Sequence, residues 1–235
     1  MRLLVLSDVH GNYAALRAVL TEPHDAVLCL GDLVGYGPEP ARCVAWVRES
    51  GATVVAGNHD RTVAEGTHPG CRAGFLRLAE ATVSIGRAQV TGDELAWLRA
   101  LPTRHRLATP VPTLLVHATP TDPLYRYLGP DPREWELETE GEEAALFLVG
   151  HTHLQFEIEA AGRRVVNPGS VGLPKHGDPR AAYAVIDGGR VALKRIAYDV
   201  EETVAGLAAT GLDARSLSEL SELLRTGSVS RGLRS

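Results

Sequence analysis

The sequence predicts an α/β fold in which two packed sheets lie between helices. Two observations carry this expectation. Through the first half, continuous apolar runs of four to six residues alternate with helical segments, the pattern of strands buried on both faces. In the second half strands dominate and follow one another through tight turns. A chain of 235 residues can bury a substantial core and fits one domain.

The elements follow in order. A strand over 3–6 leads through a loop to a helix over 13–20, where Ala14, Leu16, Ala18, Val19 and Leu20 suit a packed face. A strand over 26–30 is followed by a helix over 40–50 with Cys43, Val44 and Val47 on one side. The strand over 53–56 closes a βαβαβ pattern, which predicts a largely parallel sheet. Residues 71–78 and 92–100 read as helices. The second carries Asp93 and Glu94 in its first turn, where the helix dipole favours them, and Leu101 and Pro102 stop it. After a strand over 113–116 comes a stretch over 119–143, rich in Pro, Gly and charge, with one short helical candidate. Strands are then expected over 145–149, 154–160, 163–166, 181–186 and 191–198, with hairpin turns at 161–162 and 188–189. Helices over 199–209 and 216–224 close a single domain of residues 1–226, and 227–235 reads as a frayed tail.

The bulk numbers exclude several classes. Apolar residues make up 44% and charged residues 23%, ordinary for a soluble protein. With a net charge of −5 and no basic stripe, binding of long nucleic acid is not expected. No apolar run approaches the ~20 residues of a membrane span, so no membrane partner is expected. The N-terminus opens directly on a core strand, which leaves no room for a signal peptide. Cys29, Cys43 and Cys71 show neither metal spacing nor even pairing, and a cytoplasmic setting is the natural one. Trp46, Trp97 and Trp135 could anchor either the core or the interface of a homo-oligomer.

Five apolar runs end in residues that can bind a hard metal ion. They run into SDVHGN (7–12), GD (31–32), GNHD (57–60), His117 and GHTH (150–153). These offer Asp8, His10, Asp32, Asn58, His117, His151 and His153, with His59 beside them. Seven donors are too many for one ion and about right for two. If the segments are extended, residues two apart face one side, so Asp8 and His10 reach one ion, and His151 and His153 one cavity. Gly31, Gly57 and Gly150 would let the backbone turn off the strand ends. Ligands beyond the carboxyl ends of neighbouring strands converge in the crevice of an open α/β sheet. Imidazole with carboxylate suits Mn, Fe, Zn or Ni better than Ca, with Mn favoured here. Two such ions lower the pKa of a bridging water and stabilise the oxygens of an in-line displacement, and His59 is placed to protonate a leaving alkoxide. Asp60 could orient His59.

The ordered set SDVHGN, GDLVGYG, GNHD, VHAT and GHTH resembles the calcineurin-like metallophosphoesterase superfamily. The match spans residues 7–153 and extends to NPGSVG (167–172), a segment of its small bacterial phosphodiesterase-like branch. The resemblance implies an α-β-β-α sandwich of two mixed sheets. It implies that Asp8, His10, Asp32 and His153 hold the first metal, and that Asp32 bridges to a second held with Asn58, His117 and His151. It implies in-line attack by a metal-bridging hydroxide with His59 as general acid.

One departure narrows the expectation. The protein-phosphatase branch resembles GDxVDRG, in which an aspartate pairs with the catalytic histidine and an arginine grips phosphate. Gly35 and Tyr36 stand at those positions here. Losing the arginine removes a bidentate phosphate clamp, so a phosphodiesterase acting on small nucleotides is expected ahead of a phosphomonoesterase. GYGPEP also resembles proteins described as diadenosine-tetraphosphatase-like, which keeps dinucleoside polyphosphates as an alternative substrate. A non-catalytic scaffold, resembling the retromer subunit of this fold, is disfavoured because no ligand position is substituted. Asn58, Tyr36 and His176 are the expected substrate contacts. Lys175 follows the 167–172 turn and could reach a phosphate, though a solvated loop is the simpler account. His105 reads as solvated, and whether Tyr125, Arg126 and Tyr127 stack on a base or cap the core is left open.

Overall fold

The computed structural model describes residues 1–108, 111–230 and 233. The first half contains β1 (Arg2–Leu6), α1 (Tyr13–Val19), β2 (Ala26–Cys29), α2 (Pro40–Glu49) and β3 (Thr53–Val54). Three helices follow: α3 (Asn58–Glu65), α4 (Ala73–Gln89) and α5 (Gly92–Ala100). Then come β4 (Arg104–Leu107), β5 (Thr113–Val116), α6 (Pro132–Thr139), β6 (Leu146–Leu148), β7 (Phe156–Ala160) and β8 (Arg163–Asn167). The chain closes with β9 (Ala181–Asp187), β10 (Arg190–Ile196), α7 (Val200–Ala208) and α8 (Ala214–Thr226).

Two five-stranded mixed sheets result, in the orders β10-β9-β1-β2-β3 and β4-β5-β6-β8-β7. In the first, β1, β2 and β3 run parallel, and the β9–β10 hairpin joins the other edge of β1 in antiparallel register, Leu4 opposite Val185. In the second, β5, β6 and β8 run parallel between antiparallel edge strands. The β7–β8 and β9–β10 hairpins each turn through two left-handed residues, Ala161–Gly162 and Gly188–Gly189, the geometry that matches strand twist.

The sheets pack face to face. Val5 joins Leu115, Leu148 and Val166 between them, whereas Leu4 and Leu6 pack with Leu16, Val19, Cys43, Val44 and Val47 of α1 and α2. Both faces of β1 are therefore covered, which is why Leu3, Leu4, Val5 and Leu6 are all apolar. Each such Leu or Val contributes about 1.5–3 kcal/mol by leaving water. Trp135 is fully buried against Phe147 and Phe156 under the second sheet, a core role.

Four local expectations change. The helix expected over 71–78 is α4, which runs on to Gln89. Its second half is weakly apolar, but Gly86 lies against Val63, where an added Cβ would come 3.0 Å from a methyl group. Packing on α3 extends the helix, not periodicity. Residues 58–60 of the GNHD motif, for which no element is expected, open helix α3. Residues 104–107, read as a solvated charged stretch, form edge strand β4, whose Arg104 and Arg106 both pair with Glu142. Charge on an edge strand discourages further pairing. The tail expected to fray is attached where it is described. Ser228 pairs with His176 across a β-bridge, and Leu233 is 5% exposed among Phe75, Leu220 and Leu224. The rest of that expectation, residues 231–232 and 234–235, lies outside the described residues. Among the described residues, no helix is long and apolar enough to cross a membrane.

Candidate metal centre

The strand ends converge as expected, though not through extended backbone. Asp8, His10, Asp32, His151 and His153 all adopt left-handed φ angles between 49° and 63°. Non-glycine residues pay for that conformation, and such strain collects at functional sites. Asp8 and His10 share a cavity because both residues curl, not because of strand alternation. The glycine expectation changes likewise. Only Gly31 needs its positive φ of 90°; Gly57 and Gly150 are required for close approach. A Cβ on Gly57 would fall onto the Asp32 carboxylate, and one on Gly150 onto Ser7 Oγ.

Two groups of donors form. Asp8, His10 and His153 lie together, and so do Asp32, His117 and His151. Asp32 Oδ2 stands between them, 3.7 Å from His10 Nε2 and 3.4 Å from His117 Nε2. Asn58 Nδ2 donates to the Pro69 carbonyl at 2.6 Å, which turns Oδ1 inward to 3.1 Å from His117 Nε2. His151 and His153 do face one cavity, but they serve different groups.

The imidazoles are set by carbonyl oxygens behind them. His10 Nδ1 donates to Val34 O at 3.1 Å, His117 Nδ1 to Leu30 O at 2.7 Å, and His153 Nδ1 to Leu173 O at 2.5 Å. His151 donates from the other nitrogen, Nε2, to Tyr125 O at 3.1 Å. A carbonyl can only accept, so each bond places a proton on the outer nitrogen, and the inner nitrogen offers its lone pair when the ring is neutral. His10 Nε2 faces His153 Nε2 at 3.1 Å, and His117 Nε2 faces His151 Nδ1 at 3.2 Å. Asp8 Oδ2 accepts from Ser7 Oγ at 2.6 Å and from the backbone N–H of His151 at 3.1 Å, whereas buried Oδ1 has no hydrogen-bond partner and lies 3.3 Å from His153 Nε2. Lone pairs pointed at lone pairs beside an orphaned carboxylate oxygen are costly unless cations lie among them. The donor set fits two divalent ions.

Charge agrees. Burial opposes ionisation of Asp8 and Asp32, but the surrounding imidazoles, His153 and His117 first, hold both carboxyls below the usual range. Burial pushes His10 down and His151 down to about 3. His117 is the exception: burial opposes its charge, but Asp32 raises it to about 9. A dication must displace that proton.

His59 is buried at the rim of this centre. Its ring lies 5.1 Å from that of His10, and its backbone N–H donates to Asp32 Oδ1 at 2.9 Å. Nδ1 has no partner and faces Gly35, where a Cβ would stand 2.8 Å away. This is the position at which the phosphatase-like pattern would carry an aspartate. Burial holds the His59 pKa down to about 4 against the pull of Asp32. Asp60 does not orient it; its carboxylate accepts the backbone N–H groups of Asp32, Leu33 and Gly57 at 2.8, 2.8 and 2.9 Å.

Tyr36, expected at the substrate, is 2% exposed and wedged against the rings of His10, His59 and Phe75. Burial removes it from substrate contact and makes it a wall behind the ligands. His176 is exposed on the rim of a neighbouring cavity, its Nε2 3.3 Å from Thr152 O. Tyr127 packs on His151 with ring centroids 3.9 Å apart, and Arg126 pairs with Glu138 at 2.5 Å. Residues 167–172 brace the site from behind. Ser170 Oγ donates to Asp8 O at 2.9 Å, and Asn167 Nδ2 to Gly150 O at 2.7 Å. The sequence reading missed Ser7, Pro69 and Leu173, whose parts are played by a short side chain and two carbonyl groups that carry no sequence signature.

A two-ion donor set at the strand ends of such a sandwich defines a metal-dependent hydrolase of phosphate esters. The chain belongs to the calcineurin-like phosphoesterase superfamily, whose domain model matches residues 1–189. It is 31% identical to a metallophosphoesterase from Sphaerobacter thermophilus, covering 97% of this chain and 100% of that one with a TM-score of 0.81. A hypothetical protein from Pyrococcus horikoshii has the same fold, with a TM-score of 0.82 at 20% identity over 97% and 99% of the two chains. An uncharacterized protein of Methanocaldococcus jannaschii is 28% identical over 221 residues, 84% of this chain and 88% of that one.

Proposed function

We propose that this protein is a phosphodiesterase acting on small nucleotide-type esters with two divalent cations, manganese being the best suited. The observation that carries it is the convergence of four imidazole lone pairs and the unpartnered Asp8 Oδ1 on either side of Asp32 Oδ2. Asp8, His10, Asp32 and His153 would hold one ion, and Asp32, Asn58, His117 and His151 the other. Two cations there would polarise phosphoryl oxygens and acidify water between them.

The chain's own residues account for the rest. One carboxylate shared between two groups, with a neutral Asn58, leaves excess positive charge for an anionic ester. Gly35 and Tyr36 offer no guanidinium to a dianionic monoester, which favours the singly charged diester. His59 would give its proton to the leaving oxygen. Burial holds its pKa down, and bound phosphoryl oxygens would raise it. A reducing cytoplasm suits the buried thiols of Cys29 and Cys43.

The test is direct. Manganese-loaded protein should hydrolyse bis(p-nitrophenyl) phosphate faster than p-nitrophenyl phosphate, and chelation should abolish both. Asp32→Asn should lose most of the turnover and bind fewer than two ions by elemental analysis. Wild-type turnover in Asp32→Asn, or a monoester preference, would overturn the reading.

A further inference from the structure

Beside the ligands lies a cavity of about 460 Å³ whose walls the two-ion site does not explain. Arg72, Phe75, Tyr127 and Lys175 line it, and Val229 and Leu233 of the C-terminal tail close one side. No carboxylate is among its described lining residues, although the chain carries a net charge of −5.

Its two cations are held unusually. Elsewhere Arg2, Arg77, Arg104 and Arg126 each meet a glutamate. Arg72 instead sits over the Tyr127 ring, 4.9 Å from its centroid, and Lys175 Nζ over the Phe75 ring at 4.2 Å. Neither has an acidic partner among the described residues. An aromatic face steadies a cation without neutralising it, so both keep their charge for a ligand.

Each also flanks a different ligand group. Tyr127, under Arg72, packs on His151, while Lys175 Nζ lies 3.4 Å from His153 Nε2. Once that nitrogen is committed to a divalent ion, the ammonium loses its acceptor and faces like charge at close range. An anion placed between them relieves both.

We propose that this cavity holds a second phosphoryl group of the substrate, joined to the one that is cleaved, with Lys175 and Arg72 as its binding residues. The substrate class is then a phosphate chain bridging organic groups, as in a dinucleoside polyphosphate. The inference rests on the phosphoesterase reading of the adjoining site. Water adds across one P–O–P bridge: its oxygen bonds to the phosphorus, the bridging oxygen leaves with the remaining chain, and the displaced proton passes to solvent.

The experiment has a binding arm and a kinetic arm. Manganese-loaded protein, freed of excess metal, is titrated calorimetrically with inorganic tripolyphosphate and with orthophosphate. Wild type should prefer tripolyphosphate by about tenfold or more, and Lys175→Gln and Arg72→Gln should each lose about fivefold of that preference, whereas Lys175→Arg should keep it. In the kinetic arm, the ratio of kcat/KM for diadenosine tetraphosphate over bis(p-nitrophenyl) phosphate should fall about tenfold in both glutamine variants, through KM. Equal affinity for the two inorganic anions in wild type would overturn the proposal, as would variants that lose both esters in proportion. If neither ester is hydrolysed but a Lys175-dependent preference for tripolyphosphate is present, the hydrolytic reading fails and the anion subsite stands.

Discussion

Asp60 accepts the backbone N–H of Asp32 at 2.8 Å, so one buried carboxylate positions another through its main chain. The same group takes the N–H donors of Leu33 and Gly57, tying the loop after β2 to the start of α3. Burial and the charge of Asp32 push its pKa up, and the N–H donors oppose that rise. Asp60→Asn presents an amide to these donors and leaves at least one of them, Leu33 N–H, unpaired, a loss of about 1–3 kcal/mol. Thermal unfolding should drop by about 2–4 °C per kcal/mol. The second ion should bind more weakly by isothermal titration. An unchanged melting temperature would refute the clasp.

Gly150 has no room for a side chain, because a Cβ there would fall onto Ser7 Oγ and lie 3.0 Å from Asp8 Oδ2. Gly150→Ala should cost about 1–3 kcal/mol through overpacking. By displacing Ser7 and Asp8 it should also lower the metal bound per chain, read by elemental analysis. Gly92→Ala is the control, since nothing lies within 4 Å of its Cβ; its stability and metal content should match wild type.

The unpartnered His59 Nδ1 separates this site from one with a carboxylate behind its histidine. If His59 supplies the leaving-group proton, His59→Ala should slow a nucleoside-leaving diester by about 10²–10⁴-fold. An ester of p-nitrophenol, whose anion leaves unaided, should lose much less. Equal losses on the two substrates would assign His59 to binding instead.

Glu22 accepts from Arg2, Lys194 and Tyr183, pinning the loop after α1 to the β9–β10 hairpin. The Lys194 hydrogen bond leads in holding its pKa down to about 2, from an ordinary 4.5. A carboxyl depressed by folding contributes stability above its unfolded pKa and loses it as the folded value is approached. Wild type should therefore lose melting temperature between about pH 4.5 and pH 2. Glu22→Gln should start lower at pH 7 and change less across that window, so parallel curves would refute the assignment.

Much of this site is legible along the chain because its donors are local: each follows a short apolar run, and Asp, His and Asn are distinctive there. Paired strands such as β1 and β2 are legible for the same reason, since burial on both faces demands the continuous apolar runs of residues 3–6 and Ala26–Cys29. Elements held by tertiary contact are not. The end of α4 depends on Val63 seating against Gly86, β4 is charged because it is an edge, and Leu233 is buried with Phe75 of α4, far from it in sequence.

The sequence by itself determined the fold class, singled out seven candidate donors and showed the missing phosphatase aspartate and arginine, all of which depend on residue type and order. Only the tertiary structure decided how the donors divide, since left-handed backbone at five of them, and not strand alternation, sets their direction. It alone made Tyr36 a wall and Asp60 a clasp. It also brought Arg72 and Lys175, 103 positions apart by their numbers, to one acid-free cavity beside the metal ligands. Sequence records which groups are present; the direction and company of a side chain come from long-range packing.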